Sequence, residues 1–322
     1  MNVCQGIESG GDGANLGSTG TMGKIVYSLV LGDGSSWCLV GTPDSRPWVE
    51  KFASIMKLAP DEGDRDSEQP RKLVFVRHSG QDGYAEPTDL ISPRPEEELP
   101  QSGWEGHDWR SLRFWQHRAV PHIICEIGNE GNHELDIIRM WTSLCILYLG
   151  VLDSGGLALH AALVERDGKG ILLAGPGGSG KSTSCGRLPR PWWVWSDDQS
   201  LIVRDNQKGY LVHPTPTWSD YLYRRSAQTW KVEHHVPLEA IFFMEQAGSD
   251  ELVPMGQGKA AVSINHSSTE VCRPMWWNVS KEERKLKERI FDNSCQLARA
   301  IPAYVLRVSL TGRFWEEIEK VL

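Results

Sequence analysis

The chain has no dense block of basic residues, no C-x-x-C pair, no apolar run long enough to cross a bilayer and no secretory-type leader. Each absence removes a class of protein. Lys and Arg number 34 against 42 Asp and Glu, a formal charge of −8, so nucleic acid is not the expected partner. The seven cysteines, at 4, 38, 125, 145, 185, 272 and 295, are scattered. They read as reduced thiols of a cytoplasmic protein, not as a disulfide frame or a zinc site. Cys145 and Cys185 read as small buried hydrophobes. The longest apolar-rich stretch, 140–152, is about a dozen residues and contains Thr142 and Ser143, against roughly 20 needed to span a bilayer. No membrane is expected.

What is present suits a folded chain. The apolar fraction is 40% and the charged fraction 24%, ample for a buried core. A length of 322 residues suggests two domains, or one with a large N-terminal addition. The pattern implies a disordered leader over 1–21, rich in Gly, Ser, Asn and Asp, an N-terminal α+β domain over 22–150, and an α/β domain over 151–322. In the first domain a hairpin is expected over 24–40. A helix follows over 47–56, with Asp44 or Ser45 as its cap, then a strand over 73–76, a long loop over 79–107 and strands over 114–116 and 122–127. The best helix covers 133–149, with Gly150 closing it. In the second domain, strands are expected over 157–164, 171–174, 192–195, 201–204, 210–213 and 240–244. Helices follow over 181–188, 280–299 and 313–322.

The run Gly175-Pro176-Gly177-Gly178-Ser179-Gly180-Lys181-Ser182 fits G-x-x-x-x-G-K-[ST], with a short apolar strand before it and a helix-competent segment after it. The glycines allow conformations in which successive N–H groups point inward at an anion, and a following helix adds its positive end. Lys181 can reach the β/γ-phosphates, and the Ser182 hydroxyl can hold a magnesium ion, with Thr183 beside it. A nucleoside triphosphate is the expected ligand.

Asp197-Asp198 follows Lys181 by only 16 residues, across one short helix and one apolar strand. In a strand–loop–helix–strand unit the two strand ends lie side by side in a parallel sheet, roughly 5 Å apart. One aspartate could then bind the metal and the other accept a proton from an attacking hydroxyl. His160 lies in the strand before the loop strand and suits either the core or the site.

Together these residues resemble the HPr kinase/phosphorylase family. The likeness lies in Leu159-His160-Ala161-Ala162, Gly170 through Thr183 and Trp195-Ser196-Asp197-Asp198, and in the later stretches His213-Pro214-Thr215-Pro216-Thr217-Trp218 and 300–306. It covers about residues 150–322. It implies a phosphoenolpyruvate-carboxykinase-like phosphate-loop core and phosphorylation of a hydroxyl using ATP and Mg2+. By match of position, Lys181 and residues 175–183 bind the nucleotide, and Ser182 and Asp198 hold the metal. Asp197 is the base and His160 a supporting group; the two aspartates could be exchanged. Upstream, residues 22–149 are similar to the N-terminal part of divergent relatives found beside peptide-modifying enzymes, such as the SynChlorMet cassette protein ScmC.

The family's Glu-Asn-Glu-type signature and lysine-rich phosphorylase loop have no counterpart, which argues against HPr as substrate and against the reverse reaction. The expectation is a kinase acting on a serine-type hydroxyl of a peptide or small molecule. The alternative is a non-catalytic nucleotide-binding scaffold of a peptide-maturation complex. Arg224, Arg225 and Arg273 are candidates to stabilise the transferring phosphoryl. Trp192, Trp193, Trp195 and Trp218 are expected mostly in the core, with Trp218 as a candidate wall of the acceptor pocket. A homo-oligomer stays open.

Overall fold

A computed structural model describes residues 24–61, 70–77, 100, 102–109, 112–128, 131–225, 227–273 and 281–322. The expected leader and most of the 79–107 loop lie outside the described residues. The architecture is mixed α/β, built on two mixed sheets.

The first sheet begins with a hairpin of β1 (Ile25–Val30) and β2 (Ser36–Gly41). Ser35 closes its turn by donating its N–H and hydroxyl to Asp33 Oδ1, at 3.0 and 2.6 Å. Helix α1 (Arg46–Ile55) starts at Ser45, whose side chain does not cap it. The Ser45 hydroxyl instead donates to Phe75 O of β3 (Arg71–Arg77) at 2.7 Å. The remaining strands are β4 (Glu105–Trp109), β5 (Leu112–His117) and β6 (Val120–Ile127), in the order β1-β2-β3-β6-β5-β4. β4 corrects the loop reading of 79–107. Its burial is exposed almost throughout, so it lacks the apolar alternation by which a strand is recognised.

Helix α2 (His133–Asp153) opens on Asn132, whose side chain accepts from Glu134 N and Leu135 N. It does not stop at Gly150. A Cβ at Gly150 would lie 2.7 Å from Trp37 Cζ2, so the glycine serves close approach to β2. The helix is therefore 21 residues, long and apolar enough to cross a membrane by length and composition, which corrects the shorter span read from sequence. Met140, Leu144, Cys145, Leu147 and Tyr148 lie in the core. Gly155 (φ +86) and Gly156 then turn the chain.

The second sheet comprises β7 (Leu157–Leu159), β8 (Ala161–Arg166), β9 (Lys169–Ala174), β10 (Trp193–Ser196), β11 (Ser200–Asp205), β12 (Gly209–Pro214), β13 (Val236–Gln246), β14 (Glu251–Pro254) and β15 (Ala303–Val308). Its main order is β10-β8-β9-β13-β12-β11-β7, with β15 joining β13 and β14. The helices are α3 (Lys181–Cys185), α4 (Trp218–Leu222), α5 (Gln257–Cys272), α6 (Lys281–Ala300) and α7 (Phe314–Glu319).

One apolar core joins the two sheets. It includes Leu39 and Phe75 of the first, Phe52 of α1, α2, and Leu172, Ile202 and Ile241 of the second. The Phe52 ring lies 6.0 Å from Trp218. The β1–β2 turn is tied across by Gly32 N–H donating to His213 Nε2 at 3.0 Å. The expected boundary near 150 thus falls inside a helix buried in shared core.

Candidate functional site

The loop 175–182 leaves β9 and enters α3. Gly178 (φ +81) and Gly180 (φ +97) occupy left-handed conformations, which a side chain makes costly. A Cβ built at Gly177, Gly178 or Gly180 meets nothing within 4 Å among the described residues, which leave one side of the loop open. Lys181 is buried, and its ammonium donates to Gly175 O at 2.7 Å and Pro176 O at 3.2 Å. Gln246, at the end of β13, braces the loop by donating to Gly178 O at 2.9 Å. The Ser179 hydroxyl is buried without a partner among the described residues, while Ser182 and Thr183 are exposed. The loop therefore offers an open, glycine-lined face, one buried cation and exposed hydroxyls, which fits a phosphate-bearing ligand. The expected helix reaches only to Cys185, so little macrodipole stands behind the loop.

The acidic pair reaches this loop by a different route from the one its spacing suggests. β10 is not the neighbour of β9. β8 lies between them, antiparallel to both. The strand expected over 157–164 is likewise two strands: the chain bends at His160, sending β7 to pair with β11 and β8 to pair with β9 and β10. Because β8 runs opposite to its neighbours, its first residue, Ala161, faces Ala174 at the end of β9. The end of β10, Ser196, pairs beside Leu163. His160 therefore stands between the loop and the acidic pair.

His160 Nε2 lies 3.3 Å from Asp198 Oδ1, and Nδ1 lies 3.1 Å from Glu270 Oε2 of α5. The hydrogen bond to Asp198 raises the imidazole pKa above its usual value, against the opposing effects of burial and of Lys181. Burial lowers the Lys181 pKa, and the carboxylates of Asp198, Glu270 and Asp197 oppose it, Asp198 most strongly. Lys181, His160 and Asp198 thus form one electrostatic unit. Asp197 has a partner of its own, its Oδ1 accepting from Thr217 Oγ1 at 2.8 Å. Near it Asp220 of α4 has a raised pKa, first from burial and then from the Asp197 charge.

Sequence reasoning missed Glu270, Thr217 and Asp220. Thr217 stands in a stretch already marked by its resemblance. Glu270 stands in α5, whose weak apolar periodicity gave no helix signal. Of the arginines, Arg225 lies over the Tyr223 ring at 4.9 Å and opposes the shift of Asp220. Arg224 and Arg273 are exposed. Trp192 and Trp218 are buried, but Trp193 is 55% exposed, correcting its expected core position. Trp195 stacks on His234 with centroids 3.6 Å apart. Cys145 and Cys185 are buried, as expected, and no disulfide forms among the six described cysteines.

A family model described as SynChlorMet cassette protein ScmC matches residues 123–322. The sequence suggests that likeness over 22–149, whereas the match runs from β6 to Leu322 and contains the whole site. No curated protein matches the chain.

Proposed function

The chain belongs to the SynChlorMet cassette protein ScmC family, and we propose that it is an HPr-kinase-like enzyme transferring the γ-phosphoryl group of Mg-ATP to a serine-type hydroxyl, on a peptide or small molecule. The observation that carries the reading is the unit of Lys181, His160 and Asp198, which joins the glycine-rich loop to the acidic pair through the bend at His160. A phosphoenolpyruvate-carboxykinase-like core is the corresponding reading of the second sheet.

In this proposal the amides of 175–183 and the Lys181 ammonium hold the phosphates. Among the described residues no three His, Cys, Asp or Glu side chains gather as a ready-made metal site. Ser182 and Asp198 would hold magnesium, with phosphate oxygens and water completing the shell. When bound, the ion neutralises charge on the phosphoryl oxygens. Asp197, fixed by Thr217 through one oxygen, takes the acceptor's proton as its oxygen bonds to the γ-phosphorus and ADP departs. His160 keeps Asp198 turned toward the loop.

The test is incubation with γ-labelled ATP and hydroxyl-bearing peptides. Transfer is expected from the wild-type chain. Asp197→Asn should lower turnover by about 10²- to 10⁴-fold, the usual contribution of a positioned base, with nucleotide affinity kept. Tight ATP binding without transfer to any hydroxyl acceptor rejects the kinase reading and leaves a nucleotide-binding scaffold.

A further inference from the structure

The carboxylate of Glu270 lies against the imidazole nitrogen of His160 that faces away from Asp198. We propose that Glu270 is a positioning residue that sets the His160 ring, and through it Asp198, making α5 a structural part of the site. The proposal rests on the phosphoryl-transfer reading for its kinetic consequence, though not for its geometric one.

Two residues of α5 hold His160 in two ways. Ser267 and Glu270, three apart, lie on one face of the helix. Ser267 O accepts from His160 N at 3.4 Å, and Ser267 Oγ donates to His160 O at 3.3 Å. This fixes the backbone at the bend where β7 becomes β8. Glu270 Oε2, at 3.1 Å from Nδ1, fixes the side chain. The ring is 22% exposed, and with Asp198 as its only polar contact it could rotate about χ2 and leave that carboxylate. With a carboxylate on each nitrogen, rotation breaks two contacts at once. The arrangement has the form of an outer partner orienting an imidazole that in turn orients a ligand-binding group, a role whose loss commonly costs 10- to 100-fold. Among the carboxylates acting on Lys181 against the larger effect of burial, Glu270 is second to Asp198, so its charge reaches the loop as well as the ring.

The experiment has two readouts. The first is the ¹⁵N resonance of the His160 imidazole at one fixed pH without nucleotide, assigned by its disappearance in His160→Gln. Glu270→Ala should shift the Nδ1 signal toward that of a freely hydrated ring, while Glu270→Gln, which keeps an oxygen in place, should leave it close to wild type. Glu270→Leu serves the same purpose if the alanine variant does not fold. The second is steady-state kinetics: Glu270→Ala should lower kcat about 10- to 100-fold with the KM for ATP nearly unchanged, and Glu270→Gln should recover most of it. An unaltered Nδ1 resonance in Glu270→Ala overturns the proposal. So does a wild-type kcat in that variant. If the wild-type chain transfers no phosphoryl group, the kinase reading fails by itself, and the imidazole resonance still decides the role of Glu270.

Discussion

His213 should make the joint between the two sheets sensitive to acid. The side chain is fully buried on β12, and both ring nitrogens are used: Nε2 accepts from Gly32 N–H at 3.0 Å and Nδ1 donates to Val232 O at 2.8 Å. The arrangement requires a neutral ring with its proton on Nδ1. Burial, aided by the nearby His235 and His234, pushes its pKa down from 6.5 to about 4, despite Asp33 and the Val232 carbonyl. The folded chain therefore binds fewer protons than the unfolded one between those values. Stability from the neutral ring is complete above pH 6.5 and is lost as pH falls toward 4. A gap of about 2.5 units corresponds to roughly 3 kcal/mol in total, of which about 2 kcal/mol is gone by pH 5.

The assay is urea unfolding at pH 7.5 and pH 5 for the wild type and His213→Gln, a variant that can keep an acceptor toward Gly32 and a donor toward Val232 without titrating. The wild type should lose about 2 kcal/mol more than the variant between the two pH values. Comparing the two chains removes the contribution of every other acidic group. Equal losses in both would refute the reasoning, because they would show that the buried imidazole is not what titrates.

Three further outcomes are expected. Gly156→Ala should cost about 3 kcal/mol or more by urea unfolding, because a Cβ there would lie 2.3 Å from the Ile202 carbonyl oxygen and 2.4 Å from Val151 Cγ1. Phe52→Ala should cost about 3–5 kcal/mol, since its fully buried ring meets Trp48, Phe75 and Trp218 across the joint between the sheets; loss of under 1 kcal/mol would show that the shared core is not cohesive there. Thiol labelling of the native protein at pH 8 should leave Cys185 and Cys272 unmodified, since burial pushes both pKa values up to about 12 and the thiolate is the reactive form; prompt labelling of either would contradict that burial.

Several elements followed from local pattern. α1 was legible because Trp48, Phe52 and Ile55 recur at helical spacing, and Phe52 and Ile55 are buried where α1 meets the core. The loop 175–182 was legible because glycines and a lysine at fixed spacing specify a backbone shape before any tertiary contact exists. α2 was legible in its start, since its apolar residues recur along one broad face from His133 onward, but not in its end. Gly150 has the composition of a stop signal, and only the closeness of Trp37 shows that it serves packing instead.

The candidate site divides in the same way. Lys181, Asp197, Asp198 and His160 could be named from the chain because the residue types and their short separation carry the chemistry. How they meet could not. The spacing suggested that β9 and β10 are neighbours, whereas β8 intervenes, and the meeting depends on a bend at His160 that sends two halves of one apolar run to different partners. Glu270 lies 110 residues from His160 in sequence, and no local pattern announces a contact between elements that far apart. Sequence by itself determined the chemical inventory and the backbone of the loop, because both are properties of a few consecutive residues. Tertiary structure decided which strand separates the loop from the acidic pair, which helix holds the histidine and which glycines are turns, because those depend on pairing and close approach between distant parts of the chain.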